Sequence, residues 1–166
     1  LKSIDNTFYT LNELKGSKGT LIMFICNHCP YVKAIAKKIA FETNELKKLD
    51  VQSIAVMSNN TIDYPEDSFE NMKKFAKNYN FQFPYLIDDS QTIAKQYNAI
   101  CTPDFYGFNK NLTLQYRGRL DSSGKLGKEK NPTRDLYNAM KEISESGIGP
   151  KKQFPSMGCS IKWRAI

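Results

Sequence analysis

The sequence is poor in cysteine, histidine and tryptophan, and it contains no long apolar run. Four cysteines in 166 residues are too few for a domain that disulfides hold together. None of the apolar segments approaches the roughly 18 residues that a membrane-spanning helix needs, so we expect no membrane partner. The chain also lacks internal repeats and low-complexity segments, which speaks against a repeat architecture.

The composition that remains is that of a globular protein. Hydrophobic residues make up 40% of the chain and charged residues 25%, which is typical of a folded domain with a substantial core. The length fits one domain. We therefore expect a single domain over 1–166, with a core at about 18–146 and a tail at 147–166.

The net charge of +7 raises the question of nucleic-acid binding. The lysines are spread over the predicted helices instead of forming one block, as on solvated faces of amphipathic helices. No aromatic–basic recognition motif accompanies them, so we expect no nucleic-acid partner and a monomer or weak dimer. A cytoplasmic location is favoured, and a periplasmic or exported one stays open if an upstream signal has been removed.

Alternating apolar segments predict an α/β fold. After an N-terminal hairpin at 1–8, with Asp5-Asn6 as its turn, strands are predicted at 20–26, 51–57, 83–88, 104–108 and 112–117, and helices after Pro30, after Asp67, at 92–97 and at 133–146. This alternation predicts a mostly parallel sheet with helices on both faces. The last two strands are joined by a tight turn and must be antiparallel, which makes the central sheet mixed.

Cys29 is the leading candidate for a reactive group. It follows the buried strand at 20–26 and precedes Pro30, and proline is favoured at the first position of a helix. Unpaired backbone N–H groups and the positive end of the helix dipole favour an anion there, and such positions lower the pKa of a cysteine thiol. His28 would lower it further if protonated; the alternative for His28 is a loop residue with no task.

Cys26 and Cys29 form a C-x-x-C pair, which is typical of redox pairs and of half a zinc site. A zinc site would need further ligands from His28, Cys101 or Cys159, and no second pair with this spacing is present. Cys26 ends a predicted strand, where a thiol often packs as a small hydrophobic group. We therefore expect no metal and no cofactor.

The segment Cys101–Phe105 is the second feature that points to chemistry. Pro103 at the entrance of a strand predicts a rigid Thr102–Pro103 bond, either cis or an ordinary trans bond at a sheet edge. Asp104 either exchanges protons with Cys29, in which case its charge would raise the pKa of the thiol, or faces water at the end of a strand.

The polar segment Tyr64–Ser68 follows the predicted strand at 51–57. Asp67 is predicted to cap the next helix, with Glu70 three residues later as its capping-box partner. Ligands of open α/β sheets bind at the carboxyl ends of the strands, so the alternative is that this segment rims the site.

Six different short motifs are spread over essentially the whole chain. They lie at 24–33, 64–68, 83–86, 101–105, 116–119 and 158–163. Together they resemble the thioredoxin superfamily and, more closely, its peroxiredoxin-like subfamily. That subfamily is grouped with the alkyl hydroperoxide reductase and thiol-specific antioxidant (AhpC/TSA) proteins. The resemblance implies a thioredoxin fold and a redox or antioxidant activity.

The resemblance also implies roles for individual residues. Cys29 falls on the first cysteine of the thioredoxin C-x-x-C motif, Lys33 on the lysine that follows it, and Pro103 on the cis-proline that faces the thiol. Val32 replaces the second cysteine, so the usual cycle between the two cysteines of that motif is impossible. The buried acid of thioredoxin falls near Met23 and is absent, and the P-x-x-x-T-x-x-C motif of peroxiredoxins is missing.

The leading hypothesis is a thiol–disulfide oxidoreductase, in which the Cys29 thiolate attacks a protein or small-molecule disulfide and forms a mixed disulfide. Cys101 is the first candidate to resolve it, Cys159 on the tail the second, and an external thiol reductant the third. The alternative for Cys101 and for Cys159 is a buried thiol with a purely structural role. The alternatives are a one-cysteine thiol peroxidase that acts on peroxides and a non-catalytic thioredoxin-fold binding module.

Overall fold

A computed structural model describes residues 1–124 and 126–166. Apolar segments rich in β-branched and aromatic residues form its strands, and amphipathic segments form its helices. The strands are β1 (Lys2–Ser3), β2 (Gly19–Phe24), β3 (Val51–Met57), β4 (Tyr85–Ile87), β5 (Cys101–Thr102), β6 (Asp104–Asn109), β7 (Leu114–Gly118) and β8 (Cys159–Ser160). The helices are α1 (Leu11–Leu14), α2 (Pro30–Lys47), α3 (Phe69–Asn78), α4 (Thr92–Gln96) and α5 (Asp135–Ser146), and a 3₁₀ turn spans Pro65–Asp67.

The main sheet is mixed, with β2 inside it. Its strand order is β1-β4-β3-β2-β6-β7. β2 pairs parallel with β3, and β3 with β4, whereas β6 runs antiparallel to both β2 and β7. Every residue of β2 is buried, as expected of a strand with neighbours on both sides. The predicted mixed sheet is confirmed.

Two separate cores cover the two faces of β2. Leu21 and Met23 face a core shared with α2, α3 and α5, whereas Ile22 and Phe24 face a second core that includes α4. Successive side chains of a strand point to opposite faces, so a strand covered on both faces needs a continuous apolar run. The prediction of helices on both faces of the sheet is confirmed.

The N-terminal hairpin is also confirmed. Lys2 bridges Phe8, and the N–H of Ser3 donates to the carbonyl of Thr7 at 2.8 Å. α1 is absent from the prediction because a helix of four residues is too short to show a helical period. Its sequence signal is the capping box of Thr10 and Glu13, which marks a helix start by the reciprocal bonds of the two residues.

β2 ends at Phe24, earlier than the predicted boundary at 26. Its last antiparallel partner is Asp104, because the preceding residue, Pro103, has no N–H with which to continue the ladder. The chain therefore leaves the sheet at 25–29 and reaches α2 through a short loop. This loop carries the C-x-x-C pair.

The tail at 147–166 is extended, as predicted, and returns to the sheet. Gly147 ends α5 with a positive φ of 77°, a conformation that favours glycine. Gln153 then accepts a bond from the N–H of Arg117 at 2.9 Å and donates to the carbonyl of Gln115 at 2.8 Å. Farther on, β8 pairs antiparallel with β5. Among the described residues, no helix combines the length and the apolar character needed to cross a membrane.

Candidate active site

Cys29 lies at the N-cap of α2, with Pro30 at the first helical position. Its backbone is extended (φ −65°, ψ 123°), so the chain turns into the helix at this residue. The side chain is fully buried, at 0% exposure. The predicted position of the thiol at a helix start is therefore observed, but the sulfur is covered from solvent.

The Thr102–Pro103 segment lies directly beside this helix start. The Thr102–Pro103 bond is cis, which confirms the first of the two expectations for it. The sulfur of Cys29 is 3.4 Å from the carbonyl oxygen of Thr102, to which the thiol can donate. Cys26 reaches the same residue, with its sulfur 3.4 Å from the Thr102 hydroxyl oxygen.

Three thiols meet at Cys29. The Cys26 thiol donates to the Cys29 sulfur and is the largest cause of a pKa lowered to about 4 for Cys29. Burial opposes this shift, and further bonds from the Cys159 thiol, the Val32 N–H and the Cys159 N–H support it. These donors stabilise the thiolate and outweigh the single Thr102 carbonyl, which stabilises the thiol. A neighbouring thiol thus does more than the helix amide that the sequence points to.

The pair of thiols releases the Cys29 proton first, and the proton that remains in the pair is the one on Cys26. The pKa of Cys26 is raised by its hydrogen bond to Cys29, by burial and by the negative charge of Asp67. The thiol of Cys26 also contacts the Thr102 hydroxyl. Cys26 is therefore more than a small hydrophobic group at a strand end, because it is a polar neighbour of Cys29.

Cys159, and not Cys101, faces Cys29. In the β5–β8 pair, Thr102 is opposite Cys159 and Cys101 is opposite Ser160. Side chains alternate along a strand, so Cys101 points to the other face of β5, where its thiol donates to the Pro103 carbonyl at 3.6 Å. Burial raises the pKa of Cys101 to about 11. The structure thus reverses the expected order of proximity of the two thiols.

Asp104 belongs to a separate ion pair. Its carboxylate accepts bonds from Arg117 at 3.1 Å and from the Tyr106 hydroxyl at 3.2 Å. It is buried, and this burial raises its pKa despite the Arg117 charge. The expectation that Asp104 faces water is wrong, because Arg117 packs over the end of β6 and provides the counter-charge that a buried carboxylate needs.

A buried carboxylate, Asp67, holds the loop before Cys29. One of its oxygens accepts from the N–H groups of Asn27 at 2.7 Å and His28 at 3.3 Å. The other accepts from the His28 ring at 2.5 Å and from the Asn59 amide at 2.9 Å. The expectation that Asp67 caps α3 is wrong: Ser68 is the N-cap and accepts from the Asn71 N–H. A buried acid is present after all, supplied by another element than β2.

The 3₁₀ turn that carries Asp67 therefore rims the site. Just before the turn, Tyr64 stacks on the His28 ring, with centroids 5.7 Å apart and planes 12° apart. His28 is held on one side by this ring and on the other by Asp67, and a quarter of its side chain is exposed. The signal in the sequence was the position of the segment after β3, since carboxyl ends of parallel strands share one edge.

Lys33 contributes its backbone to the site. Its N–H donates to the Cys29 carbonyl at 3.0 Å and closes the first turn of α2. The residue is exposed. The hydrogen bonds that lower the pKa of Cys29 come from Cys26, Cys159 and Val32, so a role for the Lys33 side chain stays a prediction.

Cys26, His28 and Asp67 could together offer ligands to a metal ion, since their donor atoms lie within 4.8 Å of one another. However, both carboxylate oxygens of Asp67 already accept two hydrogen bonds each. A bound cation would have to replace the hydrogen bonds that the His28 ring and the Asn59 amide donate to Asp67. The network is fully explained as support for the loop, and the prediction of no metal stays a prediction.

Comparison with solved structures shows two close relatives over nearly the whole chain. A conserved protein from Geobacillus kaustophilus is 42% identical, with a TM-score of 0.93, covering 99% of this chain and 87% of the other. A protein from Sinorhizobium meliloti is 35% identical, with a TM-score of 0.93, covering 99% and 90%. A secreted disulfide oxidoreductase of Mycobacterium tuberculosis shares the fold at 18% identity and a TM-score of 0.58, covering 69% and 78%.

A second thioredoxin-like protein, solved in its oxidised form, matches with a TM-score of 0.66 at 18% identity over 84% of this chain and 86% of the other. The predicted thioredoxin fold is therefore confirmed. The comparison with curated protein sequences gave no match. The sequence profile of the AhpC/TSA family matches residues 1–118, and so the chain belongs to the AhpC/TSA family.

Proposed function

We propose that the protein is a thiol–disulfide oxidoreductase whose nucleophile is Cys29. The observation that carries the proposal is the arrangement around the Cys29 sulfur, which lies at a helix start between the donor thiols of Cys26 and Cys159. A thiolate is the form of cysteine that attacks disulfides. The proposal rests on the site and not on the fold, because one fold can carry many different activities.

The reaction begins with attack of the Cys29 thiolate on one sulfur of a protein or small-molecule disulfide. A bond forms between Cys29 and that sulfur, the substrate S–S bond breaks, and the second substrate sulfur leaves as a thiolate that takes up a proton. The reaction needs no cofactor, and an external thiol reductant returns the protein to its starting form.

His28 is a positioning residue in this proposal. Its ring is fixed by the bond to Asp67 and by the stacked Tyr64, and its backbone N–H also binds Asp67. These contacts hold the residue next to Cys29 in one orientation. The loop therefore keeps its shape when the Cys29 sulfur gains and loses a covalent partner.

The test is the Cys29→Ser variant in a disulfide-reduction assay with a dithiol as reductant. We expect a loss of at least about a hundredfold in rate. A thermal unfolding transition close to that of the wild type shows that the variant is folded. Activity that survives this substitution would overturn the proposal. If wild type is inactive and its Cys29 titrates like an ordinary thiol, the non-catalytic binding module is the better description.

A one-cysteine thiol peroxidase is the second candidate, favoured by the match to the AhpC/TSA family. Here the Cys29 thiolate attacks one peroxide oxygen, the O–O bond breaks, and Cys29 becomes a sulfenic acid while an alcohol or water leaves. An external thiol then reduces the sulfenic acid. Peroxide consumption measured on the same wild-type and Cys29→Ser samples separates the two activities.

A further inference from the structure

The tail covers the sulfur of Cys29. Cys159 is paired opposite Thr102 across the β5–β8 ladder, and Thr102 is the residue whose carbonyl lies beside the Cys29 sulfur. The side chains of Thr102 and Cys159 share one face of the ladder. Cys29 is completely buried as a result, although it lies at the end of a helix and next to a loop.

Gly158 allows the tail to approach this closely. A Cβ at this position would collide with the Thr102 carbonyl oxygen and press on the Pro103 ring. Its φ is not in the left-handed region, so lack of space is the reason for glycine here. Close packing at Gly158 sets Cys159 against Cys29.

The tail is held on both sides of Cys159 by polar contacts. Before it, the Ser156 hydroxyl donates to the Pro103 carbonyl. After it, the N–H of Lys162 donates to Asn59 at 2.9 Å, and the Gln91 amide donates to the Lys162 carbonyl at 2.8 Å. These bonds place the segment 156–162 (the cover segment) across the start of α2 without any covalent link.

We propose that Cys159 is the resolving thiol for Cys29 and that the cover segment is a built-in partner that must move aside to admit a disulfide substrate. This proposal rests on the proposed function, since it assigns the second half of the same reaction. The substrate class it implies is a disulfide whose entry displaces the β8 strand. Cys101 then has no part in the cycle.

Resolution by Cys159 is a second thiol–disulfide exchange. After the first attack Cys29 is bonded to a substrate sulfur. Cys159 gives up its proton, its sulfur attacks Cys29, the mixed disulfide breaks, and the substrate leaves as a thiol with that proton. The protein loses two electrons as a Cys29–Cys159 disulfide, and the substrate disulfide becomes two thiols. An external dithiol reverses the oxidation.

In the resting structure, before a mixed disulfide has formed, the Cys159 thiol stays protonated and is a poor nucleophile. Burial and the hydrogen bond to the Cys29 thiolate raise the pKa of Cys159, whereas Lys162 lowers it. Once Cys29 is bonded to substrate its negative charge is gone, and the raising effect of that charge is gone with it. The mixed disulfide thus activates its own resolving thiol.

Cys26 is the competing thiol, because it also contacts Cys29. Its proton is held by Cys29, by burial and by the Asp67 charge, and the Asp67 charge remains after Cys29 has reacted. Its side chain is almost fully buried, whereas Cys159 is half-buried on a separate segment. These differences favour Cys159.

The experiment is peptide mapping of the full-length protein after oxidation with oxidised glutathione. Trypsin cuts after lysine and arginine, so Cys26 and Cys29 share peptide 19–33, Cys101 lies in 96–110 and Cys159 in 153–162. We expect 19–33 linked to 153–162 in wild type and in Cys101→Ser. In Cys159→Ser we expect glutathione to remain on 19–33 and turnover to fall about tenfold.

Each other outcome has a defined meaning. Peptide 19–33 that lacks two hydrogens and is not linked to 153–162 identifies Cys26 as the resolving thiol and overturns the inference. Linkage to 96–110 identifies Cys101 and does the same. If Cys29 takes up no glutathione even in Cys159→Ser, the proposed function itself fails, whereas the two outcomes above overturn only the role of Cys159.

Discussion

Two walls enclose the Cys29 sulfur, and they are built very differently. The helix wall is the start of α2, where Val32, Ile35 and Ala36 are buried in the main core and Asp67 ties down the preceding loop. The tail wall is the cover segment, whose strand β8 has only two residues. In the tail, Ile161 is buried but Met157 is half exposed.

This difference separates reactivity from access. Buried apolar packing and a satisfied buried carboxylate make the helix wall costly to disturb, so the Cys26 thiol and the Val32 N–H, which stabilise the thiolate, stay in place. The tail wall has few buried apolar contacts and can open at low cost. An enclosed nucleophile needs both features: the start of α2 keeps the thiolate stabilised, and the cover segment can move to let a substrate reach it.

Breaking the helix wall has the largest expected effect. Asp67→Ala leaves the N–H groups of Asn27 and His28 and the Asn59 amide without their acceptor in a buried place. We expect the free energy of unfolding to fall by about 3 kcal/mol, measured by urea denaturation. The matched control is Asp63→Ala, because Asp63 is exposed and accepts a single bond, from the Asn60 amide; its loss should stay within about 1 kcal/mol. Equal losses in the two variants would contradict a special role for Asp67.

Lifting the tail wall should change access and leave stability largely intact. Gly158→Ala places a methyl group against the Thr102 carbonyl and pushes the cover segment outward. We expect alkylation of Cys29 by iodoacetamide to speed up by about tenfold, measured by mass spectrometry of peptide 19–33. Ser160→Ala is the control, since Ser160 lies in the same two-residue strand and is exposed. An unchanged rate in Gly158→Ala would show that the tail does not control access.

The helix wall is also the part that sequence reasoning predicts best. A buried strand, a cysteine and a proline follow one another at 20–30, so the position of Cys29 can be read from contiguous residues. Thr102 is 73 residues away from Cys29, and the resemblance to the thioredoxin superfamily, whose cis-proline faces the thiol, is what predicts that the two lie side by side. The α/β fold and the nucleophile therefore follow from local signals, and the proline segment follows from the resemblance.

Contacts between polar side chains that are far apart in the sequence cannot be predicted from local signals. Asp67 can cap a helix or accept from a loop 40 residues earlier, and its sequence surroundings allow both. Cys101 and Cys159 differ in which face of a two-residue ladder they occupy, and a shift of one residue in register would exchange them. Burial and register, which the sequence leaves open, decide both cases.

The thiolate itself should respond to the loss of its strongest donor. A thiol is ionised above its pKa, so a lowered pKa keeps Cys29 anionic down to mildly acidic pH. Cys26→Ala removes the largest cause of the shift, which raises the pKa of Cys29 and reduces its thiolate fraction several-fold at about pH 6. The ultraviolet absorbance of the thiolate measures this as the pH is lowered. Cys101→Ser is the matched control, and a shift of similar size there would argue against the Cys26 contact.

The smallest effect is expected at the far end of the tail, where Arg164 pairs with Asp89 at 2.5 Å. The Asp89 side chain is 64% exposed, and an ion pair in water contributes little because solvent screens it and both side chains lose freedom. Arg164→Ala should therefore change the Cys29 alkylation rate by less than about twofold. A change as large as that of Gly158→Ala would mean that the tail opens from its C-terminal end. The close packing at Gly158 would then not be what holds the cover segment over the sulfur.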